Sequence, residues 1–143
     1  MRNKLSGKMS RSGGLDGDIV HIARENTLFR KVVHTGECSQ LVVMSVPPGG
    51  EVGMEHYPHT DLIFFILTGK AKMIVNSKSR TTRKYEVIFV PAGELHNLTN
   101  VGQDDLKLLA IYAPPEYLED SVCRTQEEAQ AARREALEHV WQQ

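Results

Sequence analysis

The sequence is poor in cysteine, in aromatic residues and in net charge. Two cysteines, Cys38 and Cys123, are too few for a disulfide framework in 143 residues. One bridge between them is an alternative, but such low cysteine usage favours two reduced thiols in a cytoplasmic protein. The formal net charge of -1 provides no overall field that would attract nucleic acid or a membrane surface. We therefore expect no specific nucleic-acid partner and no membrane partner.

Long hydrophobic runs are also missing. No apolar run approaches the ~20 residues that are needed to span a bilayer. The first 17 residues contain the basic residues of a signal sequence but not the apolar segment that follows them in such signals. Their Ser, Gly, Lys and Arg content favours a flexible basic arm over residues 1–17. The remaining length fits one domain with a buried core.

The chain does contain short runs rich in Val, Ile, Leu and Phe, separated by turn residues about every eight to twelve positions. This spacing predicts an all-β protein, either an antiparallel sandwich or a closed barrel. Some runs are apolar at successive positions, which favours central strands over edge strands. The runs cover residues 28–33, 40–46, 62–67, 71–76, 86–90 and 106–113.

The composition changes at Thr125, after which good helix formers dominate. Thr125 followed by Glu128 fits a capping box. Apolar residues then recur on one stripe, which predicts an amphipathic helix over about 125–141, within an extension (117–143) that follows a barrel (18–116). The stripe lies either on the barrel or against a neighbouring subunit. Its members are Ala129, Ala132, Ala136, Leu137, Val140 and Trp141.

Two polar segments carry the residues with useful chemistry. The first, "EHYPHTD" over residues 55–61, places two histidines and two carboxylates just before an apolar run. The second, "VPAGELHNLTN" over residues 90–100, contains a tight Pro-Ala-Gly turn. His96 follows this turn where a strand would resume, and its side chain can point into the mouth of a barrel. Asn100 is placed to satisfy the next turn.

These segments resemble the two motifs of the cupin family. Gly50, His56, a second nearby histidine and Gly69 resemble the first motif, and P-x-G-x-x-H-x-x-x-N over residues 91–100 matches the second closely. The resemblance runs over residues 18–125 and is closest to small bacterial cupins described as mannose-6-phosphate-isomerase-like. It implies a double-stranded β-helix, a jelly-roll barrel with a C-terminal helix, whose mouth usually holds one divalent metal.

The sequence departs from the cupin pattern at three positions. Counting back from Gly69 puts Leu62 in the position where the first motif has a metal-binding acid. By alignment with the relatives that the resemblance suggests, Glu55 is kept and Tyr57 replaces a histidine. Tyr85 stands where a glycine is usual. The first departure removes one expected metal ligand, because leucine has no donor atom.

The register of the first motif decides which side chains share a face. Strict alternation along a strand puts Glu55, Tyr57 and His59 on one face, with His56 and Pro58 on the other. Pro58 removes a hydrogen-bond donor and can mark a bulge, which would break that alternation. Both registers therefore stay open.

A divalent ion, Zn, Fe, Mn or Ni, accepts mixed histidine and carboxylate ligands. His96 is the firmest donor because its turn is intact, and Asp61 is either a ligand or the partner that orients an imidazole. Two sets of three ligands are possible, besides the alternative that no metal is bound. They are Glu55, His59 and His96, or His56, His59 and His96.

Two functions follow from these residues and from the resemblance. The first is a small-molecule-binding or catalytic cupin with a metal site or a degraded one, either a metal-dependent isomerase or epimerase acting on a sugar phosphate or an iron-dependent dioxygenase. The second is a non-catalytic ligand-binding or sensing cupin. The resemblance also implies a homodimer. Candidate catalytic residues are Glu55, Tyr57 and His96, and candidate ligand-binding residues are Tyr57, His96, Met44 and Tyr112.

Overall fold

The structure is a computed structural model that describes residues 16–132. Within this range the chain forms a short helix, then nine strands, then the first turns of a second helix. The elements are α1 (Ile19–Glu25), β1 (Arg30–Thr35), β2 (Gln40–Val46), β3 (Asp61–Thr68), β4 (Lys70–Val75), β5 (Lys78–Arg83), β6 (Val87–Val90), β7 (His96–Asn100), β8 (Leu106–Ala113) and β9 (Val122–Cys123). Helix α2 is described over residues 126–132.

The strands form two antiparallel sheets. A six-stranded sheet has the order β6-β3-β8-β2-β1-β9, and a three-stranded sheet has the order β5-β4-β7. The chain passes from one sheet to the other after β3, β5, β6 and β7, as in a jelly roll. The prediction of an all-β double-stranded β-helix is thus confirmed.

The core lies between the two sheets. Leu62, Phe64 and Ile66 point inward from β3 and are at most 1% exposed. Met73 and Leu98 are paired in register on the facing sheet and are fully buried. Alternation along β3 therefore places every second residue in the core, where each large side chain contributes about 1.5–3 kcal/mol relative to an exposed one.

Helix α1 covers part of the outer face of the six-stranded sheet, and the sequence analysis did not predict it. The Asp18 carboxylate caps the helix by accepting a hydrogen bond from the His21 amide, at 3.2 Å. Ala23 packs in a second apolar cluster against this sheet. At the end of the helix, the buried Lys107 ammonium donates to the Asn26 carbonyl (2.5 Å) and to the Ser45 hydroxyl (2.9 Å).

The six predicted strand regions all contain strands, and β5 is a strand that the sequence analysis did not predict. The start of the C-terminal helix is also confirmed, because the Thr125 hydroxyl accepts from the Glu128 amide at 3.1 Å. The stripe from Ala136 to Trp141 and the basic arm over 1–15 lie outside the described residues. The proposed domain boundaries stay predictions.

Three further observations bear on the sequence analysis. Tyr85, where a glycine is usual, has φ of +70°, a conformation in which glycine is unstrained and a tyrosine is not. Cys38 is exposed, Cys123 is buried, and both are free, so no bridge joins them. Among residues 16–132, no helix has the length and apolar character that a membrane crossing requires.

Candidate functional site

Polar side chains gather at one end of the barrel, which we call the mouth. Here the inward-facing Gln40, Tyr112, Leu62 and Val90 are paired side by side across β2, β8, β3 and β6. The connection between β2 and β3 and the start of β7 complete the opposite side. Residues 114–121, which join β8 to β9 and which we call the strap, run along this end.

Glu55 and His96 are held next to each other by backbone hydrogen bonds. Each amide donates to the other residue's carbonyl at 2.9 Å, which forms an isolated antiparallel bridge. His96 is 1% exposed, and its Nδ1 lies 3.1 Å from the Glu94 carbonyl oxygen. Its ring centroid lies 6.0 Å from that of Tyr57 and 6.1 Å from that of Phe64. His96 therefore faces the barrel interior, as the sequence predicted.

The other residues of the first motif do not point inward together. Tyr57 is 5% exposed, whereas His56 and His59 are both exposed and Pro58 and His59 form a turn. The turn after Tyr57 breaks the strict alternation that would have put His59 on the inner face. Asp61 has a structural partner, since its Oδ1 accepts from the Ala92 amide at 3.0 Å.

Neither predicted metal shell is assembled. Among residues 16–132, no group of three or more His, Cys, Asp or Glu side chains is placed to hold a metal ion. Because His56 and His59 are exposed, Glu55 and His96 are the predicted ligands that remain at the mouth. The buried Leu62 offers no donor atom. Two donors do not meet the three or four protein ligands that such ions require, so the mouth does not fit the predicted metal.

Three tyrosine hydroxyls take the place of metal ligands at the mouth. The Tyr57 hydroxyl donates to Glu55 Oε2 at 2.5 Å and lies 2.8 Å from the Tyr117 hydroxyl. The hydroxyls of Tyr117 and Tyr112 lie 3.4 Å apart. Because the single Tyr57 proton is directed to the carboxylate, the Tyr57 oxygen accepts from Tyr117. The hydroxyls thus form a chain that ends on Glu55.

Burial decides the charge state of these hydroxyls. It raises the pKa of Tyr57 and of Tyr112, and the neighbouring tyrosines add to the effect. Burial also raises the pKa of Tyr117, although the nearby Arg30 opposes the change. All three phenols are therefore neutral at physiological pH and keep their protons as hydrogen-bond donors.

Arg30 completes the cluster from β1. Its guanidinium carbon lies 3.8 Å from the centroid of the Tyr117 ring, and its Nη2 donates to Cys123 Sγ at 2.9 Å. Burial lowers the pKa of Arg30, but the combined effect of Tyr117, Cys123, Tyr112 and Tyr57 exceeds it, so the pKa is raised. The Arg30 Nε is buried and has no hydrogen-bond partner among residues 16–132.

The strap is fastened over the mouth by Gln40 of β2 and by Thr60, which immediately precedes β3. Gln40 Nε2 donates to the Tyr117 carbonyl at 2.8 Å, and Gln40 Oε1 accepts from the amides of Glu116 (3.2 Å) and Tyr117 (3.1 Å). The Thr60 hydroxyl also donates to Glu116 Oε1. These contacts position the Tyr117 ring between Arg30 and the other two hydroxyls.

The structure places the candidate ligand-binding residues in two different regions, the mouth and the apolar core. Tyr57, His96 and Tyr112 lie together in the mouth, and Tyr112 is 2% exposed. Met44 is 2% exposed and packs within the apolar core. Neither Met44 nor Tyr112 lines the two described surface clefts of about 420 and 350 Å³.

Sequence reasoning missed Arg30, Gln40 and Tyr117 as site residues. Arg30 and Gln40 lie in predicted strand regions, and Tyr117 lies in the connection that follows the last of these regions. A polar residue on the inward face of an otherwise apolar strand was the signal for Arg30 and Gln40. Tyr117 carried no such signal, because it lies in a connection.

The chain is similar to several known proteins. Residues 42–112 match the family described as "Cupin domain". The uncharacterized protein YrkC of Bacillus subtilis is 33% identical over 122 residues, 80% of this chain and 65% of that protein, so this chain spans slightly less than two thirds of its length. The crystal structure of BH2720 from Bacillus halodurans has a TM-score of 0.81 at 29% identity and covers 82% of this chain and 93% of that chain. An oxalate-binding protein from Thermotoga maritima is 34% identical over 68 residues, 48% of this chain and 56% of that protein.

Proposed function

This chain belongs to the cupin family, and on that basis we propose that it binds a small carboxylate-bearing molecule in the mouth of its barrel. The contacts come from Arg30 and from the tyrosine hydroxyls, with no metal ion as the anchor. This proposal follows the alternative from the sequence analysis, a ligand-binding cupin with a degraded metal site. It adds the chemical class of the ligand.

The environment of Arg30 carries the proposal. Its guanidinium is partly removed from water, yet the groups that shift its pKa include no carboxylate. Its Nε is buried without an acceptor among residues 16–132, and its Nη2 donates to a thiol, which is a weak acceptor. A buried donor without an acceptor costs about 1–3 kcal/mol. A ligand carboxylate offsets this cost, because it can accept two parallel hydrogen bonds from one guanidinium.

The tyrosine hydroxyls supply the remaining polar contacts. Tyr112 and Tyr117 are neutral at physiological pH because burial raises their pKa values, so each keeps a proton that can turn from its present hydroxyl acceptor to a ligand carboxylate oxygen. Glu55 is already bonded to the Tyr57 hydroxyl, which lies between it and the hydroxyl of Tyr117. The arrangement offers a small acid one fixed cation and neutral donors.

Similarity to known proteins supports the same class of ligand. The relative from Thermotoga maritima is an oxalate-binding protein, and oxalate is a small dicarboxylate. That similarity covers about half of this chain, so it supports the chemistry of the ligand rather than its identity.

The metal-dependent alternatives remain predictions from the family resemblance. A sugar-phosphate isomerase or epimerase and an iron-dependent dioxygenase both call for a set of metal ligands, and the mouth provides Glu55 and His96 alone among the predicted ones. The donor set present here, with a cation and three phenols, suits the recognition of an anion better than the ligation of a cation.

The first test of the proposal is calorimetric titration of the whole chain with oxalate and other two- to four-carbon carboxylates, after dialysis against a chelator. Oxamide, the uncharged diamide of oxalate, is the matched control ligand. We expect at least one carboxylate to bind and oxamide not to bind. Binding that requires added Zn²⁺ or Mn²⁺, or failure of every carboxylate to bind, contradicts the proposal.

The second test replaces the anchor. Arg30→Met keeps most of the side-chain volume and removes the charge, and we expect it to weaken carboxylate binding at least about tenfold, the effect of losing a charge-assisted pair. Lys31→Met is the matched control, since Lys31 is exposed on the same strand and faces away from the core. Equal affinities for Arg30→Met and Lys31→Met, with both variants folded by circular dichroism, would remove Arg30 from the site.

A further inference from the structure

Two surface features at the mouth end play no part in the site. The first is the cleft of about 350 Å³ between the edge strands β5 and β6, which we call the β5–β6 cleft. Its apolar lining includes Val87 and Phe89, which are 61% and 55% exposed, together with Val75 and Pro91. Lys78 and Arg80 line it from β5 and are exposed. Glu94 also lines the cleft, so two cations and one carboxylate surround these apolar side chains.

The second feature is the tip of the strap. Leu118 is 84% exposed, more than any other large hydrophobic side chain in the described part of the chain. A turn follows it at once, closed by a hydrogen bond of 3.2 Å from the Ser121 amide to the Leu118 carbonyl, with Asp120 at φ of +60°. Glu119 and Asp120 lie in this turn. The strap tip therefore presents one apolar side chain next to two carboxylates.

The cleft and the strap tip lie at the same end of the barrel but at opposite edges of the large sheet. The cleft adjoins β6, at one edge, and includes Pro91 just beyond the mouth end of that strand. The strap leaves β8 at the mouth and leads to β9, at the other edge. The strands between β6 and β9 in the six-stranded sheet therefore lie between the two features.

We propose that a second copy of this chain docks at the mouth end, with Leu118 of each copy in the β5–β6 cleft of the other. Complementary charge favours this occupant, because Glu119 and Asp120 then lie next to Lys78 and Arg80. A two-fold axis across the mouth satisfies both contacts at once, since each copy carries one strap tip and one cleft. Such a dimer covers exposed Leu118, Val87 and Phe89, which in a monomer stay in contact with water.

The proposal specifies the surface of a homodimer and does not rest on ligand binding in the mouth. The experiment is sedimentation velocity or light scattering on the whole chain from about 1 to 500 μM. We expect a dimer for the wild type, and at least about tenfold weaker association for Leu118→Asp and for Arg80→Glu, as is typical of substitutions at the centre of an interface. Lys72→Glu is the matched control, because Lys72 is exposed on β4 and does not line the cleft.

Two further experiments, a charge-reversal double variant and a mixture of two single variants, distinguish this arrangement from other dimers. The double variant Arg80→Glu with Asp120→Arg should associate more tightly than Arg80→Glu alone. An equimolar mixture of Leu118→Asp and Phe89→Asp should form a heterodimer, because one intact strap tip then meets one intact cleft, while each variant alone forms neither contact. A wild type that stays monomeric at 500 μM, or a dimer that Leu118→Asp and Arg80→Glu leave unchanged, overturns the proposal.

Discussion

At the scale of single residues, Asn100 shows how one buried amide can organise a barrel end. Its Nδ2 donates to the carbonyls of Val46 and Asp104, both at 2.8 Å, and its Oδ1 accepts from the Gly102 amide at 2.9 Å. The side chain is 1% exposed, so water cannot replace these bonds. The end of β2 and the connection between β7 and β8 therefore both depend on the donors and the acceptor of a single asparagine.

This arrangement predicts that Asn100→Asp is destabilising although it keeps the size of the side chain. An aspartate cannot donate to the Val46 and Asp104 carbonyls, and its charge would be buried against them. We expect the free energy of unfolding to fall by about 2–4 kcal/mol, measured by urea denaturation at pH 7.

The control for this prediction is Asn76→Asp. Asn76 is exposed in a turn with φ of +52°, a conformation that aspartate also tolerates. A loss of stability that is equal in the two variants would show that the buried hydrogen bonds of Asn100 have no special weight.

At the scale of elements, the strap depends on one side chain of β2. Gln40 is 1% exposed and makes three hydrogen bonds to the strap backbone at residues 116 and 117, besides one to the Thr35 hydroxyl at 2.9 Å. The strap has no strand pairing of its own between β8 and β9. Removal of Gln40 should therefore release the strap locally before it affects the two sheets.

Gln40→Leu tests this dependence by amide hydrogen exchange. We expect exchange at Glu116 and Tyr117 to become at least about tenfold faster, because each amide loses its acceptor and local opening no longer requires global unfolding. Amides within β3 and β8 should change only in proportion to any loss of global stability. Gln103→Leu, at an exposed loop position, is the matched control. Unchanged protection at residues 116 and 117 in Gln40→Leu would contradict the role of Gln40.

Strands with a strong apolar pattern were predictable from the sequence. Strands that form because they pair with a neighbouring strand were not. β2, β3 and β8 follow from runs such as "LIFFIL", which bury side chains in the core whatever lies beside them. β5 reads "KSRTTR" and buries only Thr82, so its strand form comes from pairing with β4. Helix α1 spans seven residues, too few for a clear helical period.

At the scale of the whole molecule, the position of the site was predictable but its chemistry was not. The "PAGELHN" turn fixes His96 at the mouth, and the second-motif spacing was sufficient for that. The contact of Arg30 with Tyr117 joins residues that are far apart in the chain, and nothing in either segment alone requires it. The turn at Pro58 and His59 decided which residues of the first motif face the barrel interior, because it left Tyr57 buried and His59 exposed. Local spacing therefore indicated a site, and long-range packing decided that phenols and a guanidinium fill it.

The buried phenols also predict how the whole protein responds to alkali. Burial raises the pKa values of Tyr57, Tyr112 and Tyr117 above the value of about 10 that they have in an unfolded chain. Their contribution to stability is therefore complete below about pH 10 and is lost as the pH rises toward the folded pKa values. Each such tyrosine lowers the unfolding free energy by up to about 1.4 kcal/mol per pH unit in that range.

We expect these three tyrosines to ionise only when the protein unfolds. Tyrosinate absorbance near 295 nm and far-ultraviolet circular dichroism, followed together from pH 8 to 13, should show their signal rising with the loss of β structure. In Tyr112→Phe, the pH dependence of unfolding should weaken by about one proton per molecule, because one phenol fewer binds a proton only in the folded state. Tyr85→Phe is the matched control, since Tyr85 is 57% exposed and lies outside the cluster. Ionisation of all four tyrosines while the circular dichroism remains native would mean that water reaches the mouth freely, and the closed hydroxyl cluster would then be wrong.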